Sequence, residues 1–287
     1  MKLLVTGAHG QLGRALQTAL GKHRVVAFSH STLDVTDGPA VDAAITRQRP
    51  DVVLHCAALT DTARCEREPD LAMAVNGYGA DKVARACARA GARLVAVSTN
   101  EVFDGDARTP YTEDAPTRPL NAYGVSKLEG ERLTTIACPE AIIVRTSWVY
   151  GEGGNNFVEK VRNAAHAGDP LRFVTDEVAA PTAATELASA IAELLDRGPP
   201  AGVYHVAGEG AASRWDWAAE VLRLTGASSM PERVTTEELR AGGYSGPRKP
   251  PYSVLANTRA RALGVVLRPW RDALAVYCAR SQDAIHG

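Results

Sequence analysis

The sequence predicts an α/β fold, a doubly wound parallel sheet of Rossmann type with a smaller, partly discontinuous C-terminal lobe. Three observations carry this. Short, near-continuous apolar runs alternate with helical stretches as far as Tyr150, as expected for strands buried on both faces of a parallel sheet. A glycine-rich turn follows the first apolar run and opens a helix, which is the context a dinucleotide-binding turn requires. After Gly151 the alternation changes, and segments that finish the sheet are mixed with segments that build a second lobe.

The first strand runs from Lys2 to Thr6. It ends in Gly7-Ala-His-Gly10-Gln11-Leu12-Gly13, and Arg14 to Leu20 has helical character. Glycines allow a tight turn and let a pyrophosphate approach the backbone. The helix N-terminus adds free N–H groups and the positive end of its dipole. A second strand covers Arg24 to Ser29 and ends in Ser29-His30-Ser31-Thr32. No carboxylate stands there to repel a 2′-phosphate, so the sequence leans towards NADPH over NADH. Asp34, in Leu33-Asp34-Val35, caps a helix or approaches the adenine.

Asp51 to Ala58 is a third buried strand. It leads into Ala57-Ala58-Leu59-Thr60, small residues that either let a planar ligand lie close or serve tight helix–sheet packing. Ala72 to Ala90 is expected to be one helix, with Asn76 either exposed or a buried hydrogen-bonding group near the site. Ala92 to Ser98 is the fourth strand, and Thr99-Asn100-Glu101 leaves its carboxyl end, where open α/β sheets hold their ligands. Ser98 and Thr99 are thus placed to hold a substrate oxygen.

Arg108 to Pro119 reads as a surface loop. A helix starting near Asn121 puts Tyr123 and Lys127 one turn apart on one face. A phenol ordinarily ionises near about pH 10, and a neighbouring cation lowers that value. The pair can then serve as a general acid or base near neutrality. Ala141 to Ser147 is the next strand, ending in Trp148-Val-Tyr150.

Beyond Gly151 the sequence gives a turn at Gly153–Asn156, helices at Phe157–Ala167, Ala183–Asp196 and Trp215–Leu224, and strands at Leu171–Thr175 and Gly202–Gly208. A loop over Gly242–Tyr252 carries Arg248 and Lys249. A short helix near Thr258 and a final one over Trp270–Ala279 close the chain. The expected division is a dinucleotide-binding domain over 1–150, completed by segments near 183–208, and a mainly substrate-binding lobe over 151–287.

Composition narrows the function. The chain has 287 residues and a formal net charge of −1, without basic runs, which argues against nucleic acid or an anionic membrane as partner. No apolar run reaches membrane-spanning length. The N-terminal apolar run is too short for a signal-peptide core. Five cysteines, none in a Cys-x-x-Cys pair, read as reduced thiols of a cytoplasmic protein, with no zinc or disulfide framework.

The glycine turn, Thr99 at a strand end and Tyr123-x-x-x-Lys127 together resemble the extended short-chain dehydrogenase/reductase superfamily. The resemblance implies that Tyr123 exchanges a proton with substrate, that Lys127 tunes the phenol and binds the nicotinamide ribose, and that Thr99 hydrogen-bonds the reacting oxygen. A finer resemblance runs nearly end to end, to the dTDP-4-dehydrorhamnose reductase family. It is carried by Gly7 to Gly13, Leu33-Asp34-Val35, Ala57 to Thr60, Val97 to Gly105, Tyr123 to Glu131, Arg145 to Tyr150, Asn156-Phe157, Pro181-Thr182 and Gly202 to Ala207. Lys249-Pro-Pro-Tyr-Ser253 matches the family's Arg-Pro-x-x-Ser with Lys for Arg.

This resemblance implies reduction of the C4 ketone of a dTDP-4-keto-6-deoxy sugar by NADPH or NADH. Around the cofactor it implies Gly10, Gln11, Leu12, Asp34, Val35, Ala57, Ala58 and Thr60, beside the Gly7 and Gly13 of the turn. Around the sugar nucleotide it implies Thr99, Asn100 and Trp148, with packing in the core as the other reading of Trp148. Arg248 and Lys249 are candidates to meet the diphosphate.

Two departures stand out. The family usually has Asp-Tyr where this chain has Asn100-Glu101. The related 4,6-dehydratases have Asp-Glu there, and an amide cannot replace the Asp as a proton donor. Some members also dimerise through a metal held by acidic residues. The corresponding position in the first helix is Ala15, so no metal is expected, and the chain is read as a monomer or homodimer. The alternatives are a dehydratase or epimerase of the same superfamily and a non-catalytic, cofactor-binding regulatory subunit.

Overall fold

The computed structural model describes residues 1–153, 156–227 and 230–286, with side chains of 281–286 excepted. The Gly153–Asn156 turn therefore lies partly outside the described residues. Six parallel strands form the central sheet: β1 (Lys2–Thr6), β2 (Arg24–Phe28), β3 (Val52–His55), β4 (Arg93–Thr99), β5 (Ile142–Thr146) and β6 (Gly202–His205). Their order is β6-β5-β4-β3-β1-β2. The chain moves outward from β1 to β2 and returns to β3 on the other side of β1. That reversal opens a crevice at the carboxyl ends of β1 and β3.

The sheet is apolar on both faces because both are covered. Leu3 and Val5 of β1 point into a layer with Leu12 and Leu16 of α1 (Gln11–Ala19) and Leu187 and Ile191 of a later helix, Ala184–Asp196. Leu4, between them, points the other way, towards Val41 and Ile45 of α2 (Gly38–Gln48) and Val83 and Cys87 of α3 (Gly79–Ala90). This is the two-residue alternation of a strand. Each fully buried Leu or Ile contributes roughly 1.5–3 kcal/mol.

Segments after 151 build a separate cluster around Tyr150, Val158, Trp217, Val221, Trp270 and Leu274. Its helices are α5 (Phe157–Ala167), α7 (Arg214–Thr225) and α8 (Trp270–His286). The Ala184–Asp196 helix, α6, lies against α1 instead, and β6 pairs with β5. Three short strand pairs brace the lobe: Val149–Tyr150 with Thr182–Ala183, Arg172–Val174 with Glu232–Val234, and Val178–Ala179 with Ala212–Ser213. No helix among the described residues is long and apolar enough to cross a membrane.

Two elements differ from expectation. The helix expected over Ala72–Ala90 is interrupted: Pro69–Ala72 is α-helical, Met73–Tyr78 is a π turn, and α3 begins at Gly79. Asn76 inside this wide turn is buried. Its Oδ1 accepts from Leu59 N at 2.8 Å, and its Nδ2 donates to Leu59 O at 3.1 Å and Ser126 Oγ at 3.0 Å. A side chain bonded to two outside segments competes with the regular helical ladder. Asp34, read as a helix cap or as approaching the adenine, caps no helix: it closes a local turn by accepting from Thr36 N and Oγ1, both at 2.8 Å. Asp37 caps α2, accepting from Ala40 N at 3.0 Å.

Candidate active site

Three strand ends and one helix end converge at the crevice. Gly7 leaves β1 at φ 68°, and a Cβ there would lie 2.7 Å from Ala57 N. Gly13 is as tight, since its Cβ would meet Gly7 O at 2.3 Å. These two positions admit no side chain, so the turn, the Ala57-Ala58 segment and α1 are locked at minimum separation. Gly10 is the N-cap of α1 and supplies no side-chain acceptor, so the first N–H groups of the helix stay unclaimed by a cap. Gln11 Oε1 is buried there without a partner. Leu12 points into the core, so only its backbone faces the turn.

These features fit the pyrophosphate of a dinucleotide, with donors presented and no bulk in the way. Asp34 and Thr60 are exposed near this end, while Val35 is buried against Gly79. Beyond β2, Ser29 Oγ lies 2.8 Å from Ser31 Oγ and 3.3 Å from Thr32 Oγ1. This hydroxyl cluster carries no carboxylate. Among the described residues no group of three or more His, Cys, Asp or Glu could hold a metal ion, and Ala15 packs against the core.

The other end of the crevice is built on β4 and α4 (Ala122–Ala137). Asn121 caps α4 by accepting from Gly124 N at 2.9 Å. Gly124 lets the first turn of this helix lie on the chain after β4, for a Cβ there would stand 2.2 Å from Glu101 O. Tyr123 is thereby brought close enough to Thr99 for the Thr99 side chain to act on its phenol.

The Tyr123 phenol is held above its ordinary value, first by burial and then by the Glu101 charge, while the Thr99 bond pulls it back. This corrects the expectation that Lys127 would set it low. Lys127 Nζ donates to Val97 O at 2.7 Å. Burial brings its ammonium down to about 8, with Glu131 acting the other way. Behind it, Glu131 accepts from Ser98 Oγ at 2.5 Å and Arg145 Nη2 at 2.7 Å. Sequence reasoning assigned Glu131 and Arg145 no role of their own.

Asn100 bridges Thr99 and the segment that carries Ser253. Its Nδ2 donates to Ser253 Oγ at 2.7 Å, and its Oδ1 accepts from Thr99 Oγ1 at 3.3 Å. Glu101 is paired with Lys249 Nζ at 2.7 Å, so Lys249 is tied inward and is not a free partner for a diphosphate. Arg248 is exposed at the rim of a cleft of about 520 Å³ lined also by Glu66, Asp176, Glu177, Arg240 and Lys249.

Trp148 follows β5 with φ 42°, a conformation that costs about 1–3 kcal/mol and is retained where surroundings enforce it. Those surroundings are Trp217, stacked at 5.6 Å, and the Arg214 guanidinium 3.7 Å from the ring centroid. Arg214 also stands 3.6 Å from Glu177 Oε2. Burial lowers the Arg214 pKa and raises that of Glu177. Sequence reasoning missed both residues, which no motif links.

The family model of the RmlD substrate binding domain matches residues 1–282. A dTDP-4-dehydrorhamnose reductase of Streptomyces griseus is 41% identical over 99% of this chain and 96% of its own length. A spore coat polysaccharide biosynthesis protein, SpsK, of Bacillus subtilis is 38% identical over 99% of both. Among solved structures, a dTDP-4-dehydrorhamnose reductase from Bacillus anthracis, in complex with NADP, superposes with a TM-score of 0.92 at 33% identity, covering 97% of this chain and 99% of that one.

Proposed function

The chain belongs to the RmlD substrate-binding-domain family, and on that premise we propose that it reduces the C4 ketone of a dTDP-4-keto-6-deoxy sugar with NADPH. The rhamnose precursor, dTDP-4-dehydro-L-rhamnose, is the substrate most in keeping with the named relatives. The observation that carries the reading is the placing of Thr99, Tyr123 and Lys127 together at the carboxyl ends of the strands, where the uncapped end of α1 also lies.

Gly7, Gly10, Gly13, Gln11 and the Ala57-Ala58 backbone would hold the dinucleotide. When bound, it supplies the hydride that reduces the carbonyl carbon. Tyr123 keeps its proton at neutral pH and delivers it to the oxygen as negative charge develops there. Thr99 holds that oxygen, and Lys127 places a cation behind the site. Trp148 and Arg214 wall the sugar-nucleotide side, with Asn100 and Arg248 at its edge.

The dehydratase alternative is not favoured. Asn100 is an amide bonded to Ser253, and Glu101 is already ion-paired. The test is loss of NADPH absorbance with a panel of nucleotide 4-keto-6-deoxy sugars. Tyr123→Phe should lower kcat by about 10²–10⁴-fold while NADPH affinity is kept. Turnover at the native rate in that variant would refute the proton-donor role. Equal turnover with NADH would remove the cofactor preference.

A further inference from the structure

The two sequence positions that depart from the family's motifs, Glu101 after the Thr99 strand end and Lys249 in the Arg-Pro-x-x-Ser segment, touch each other across 148 residues. Lys249 Nζ lies 2.7 and 3.0 Å from the two oxygens of Glu101, with side chains only 14% and 10% exposed. Glu101 Oε2 also accepts from Asn121 Nδ2 at 2.8 Å. The same nitrogen donates to Arg248 O at 2.8 Å, and Asn121 caps the helix that carries Tyr123. One residue earlier, Asn100 binds Ser253. The strap from Arg248 to Ser253 is therefore fastened at three points, to the side chains of Asn100, Glu101 and Asn121 that flank Thr99 and Tyr123.

We propose that Glu101 and Lys249 form a cross-lobe latch of positioning residues, which fixes the Tyr123 helix and the Thr99 strand end against the strap. The Glu101 carboxylate is held on the cap of that helix through Asn121, and so lies as an anion on the phenol's side of the latch. The proposal rests on the ketone reduction proposed above. Its physical basis is direct. An anion near a phenol disfavours phenolate, and ketone reduction needs the phenol protonated. Lys249 offsets the cost of burying Glu101 while tying it to the strap that lines the cleft.

Other titratable groups that sense Glu101 are Cys65 from the Thr62–Arg67 helix, Glu177, Arg214 and Tyr244. Burial holds Cys65 as a thiol, up at about 11, so it adds no anion near neutrality. Glu177 and Arg214 face each other at 3.6 Å. Among the described residues Lys249 is the cation within ion-pair distance of Glu101.

The experiment is a pH profile of kcat/KM for the native protein, Glu101→Gln, Lys249→Met and Lys249→Arg, with a double-mutant cycle in urea unfolding for Glu101→Gln and Lys249→Met. Glu101→Gln should move the basic limb to lower pH by about one pH unit, because the phenol then ionises more easily. Lys249→Met should raise KM about tenfold and be non-additive with Glu101→Gln in unfolding, and Lys249→Arg should restore KM to within about twofold. A Glu101→Gln profile that overlies the native one, additive unfolding energies, or Lys249→Arg as impaired as Lys249→Met would each overturn the latch. Absence of ketone reduction by the native protein would instead refute the proposed function, while the unfolding cycle still tests the contact.

Discussion

The two ends of the crevice are made in opposite ways. The cofactor end is backbone: Gly7 and Gly13 exclude side chains, and Gly10 leaves the helix end open. The substrate end is side chains: Arg214, Glu177, Trp148, Glu101 and Lys249 form a chain of partly buried charges and rings drawn from distant segments. The first end is damaged by adding atoms, the second by removing them. An end of the first kind binds what every member of a fold binds. An end of the second kind can be retuned one residue at a time.

The difference can be broken by substitution. Gly7→Ala adds a single methyl where φ is 68° and Ala57 N is 2.7 Å away. Strain and overpacking together should cost roughly 2–6 kcal/mol in urea unfolding, with loss of NADPH binding by fluorescence titration. A stable variant with native affinity would show that the turn has slack. Arg214→Met removes a guanidinium from Trp148 and leaves Glu177 without its 3.6 Å partner. The expected effect is about 1.5–3 kcal/mol, seen as a rise in KM with NADPH affinity unchanged. A matched loss of NADPH affinity would mean that the two ends are not separable.

A third test concerns what the ends share. His55, bonded to Thr6 at 2.8 Å, lies under the cofactor end, and His205, bonded to Tyr111 O at 3.0 Å, lies under the other. Burial brings each down to about 3 from an ordinary 6.5. Between these values the unfolded chain binds protons that the folded chain refuses. Stability is thus complete above about pH 6.5 and falls as pH drops towards about 3, by up to about 1.4 kcal/mol per pH unit for each histidine. Urea midpoints from pH 7 downward check the slope, and His55→Gln or His205→Gln should each remove about half of the histidine contribution. A flat profile would show that the imidazoles are not buried as neutral rings.

What could be read from the sequence follows the same division. The parallel sheet was legible because strands buried on both faces are written as unbroken apolar runs, such as Asp51 to Ala58. The glycine turn was legible because only glycine satisfies its spacing. The capping reading of Asp34 fails because Asp37, three residues on, offers the same chemistry, and only the helix start decides between them. Arg214 and Glu177 were invisible because each is ordinary in its own segment and acquires meaning from the other. The high Tyr123 pKa was equally hidden. It comes first from burial and then from the Glu101 charge, and both follow from Gly124 letting α4 settle on the chain after β4.

The π turn at Met73–Tyr78 has a consequence for how this chain tolerates change in length. A π turn carries one residue more than the α-helical path it replaces, and that surplus acts as a phase shifter along the rod. Downstream, Val83, Ala84 and Cys87 stay turned to the sheet. Within the turn, Asn76 is rotated to meet Leu59 and Ser126, the latter one helical turn after Tyr123. Deleting one residue within 73–78 would restore a regular helix and swing Asn76 by about 100°. The loop after β3 and the face of α4 would then lose their common tie. Insertions and deletions should accordingly be accepted at the exposed C-terminal end of α3, near Ala88–Ala90, and refused within this single turn.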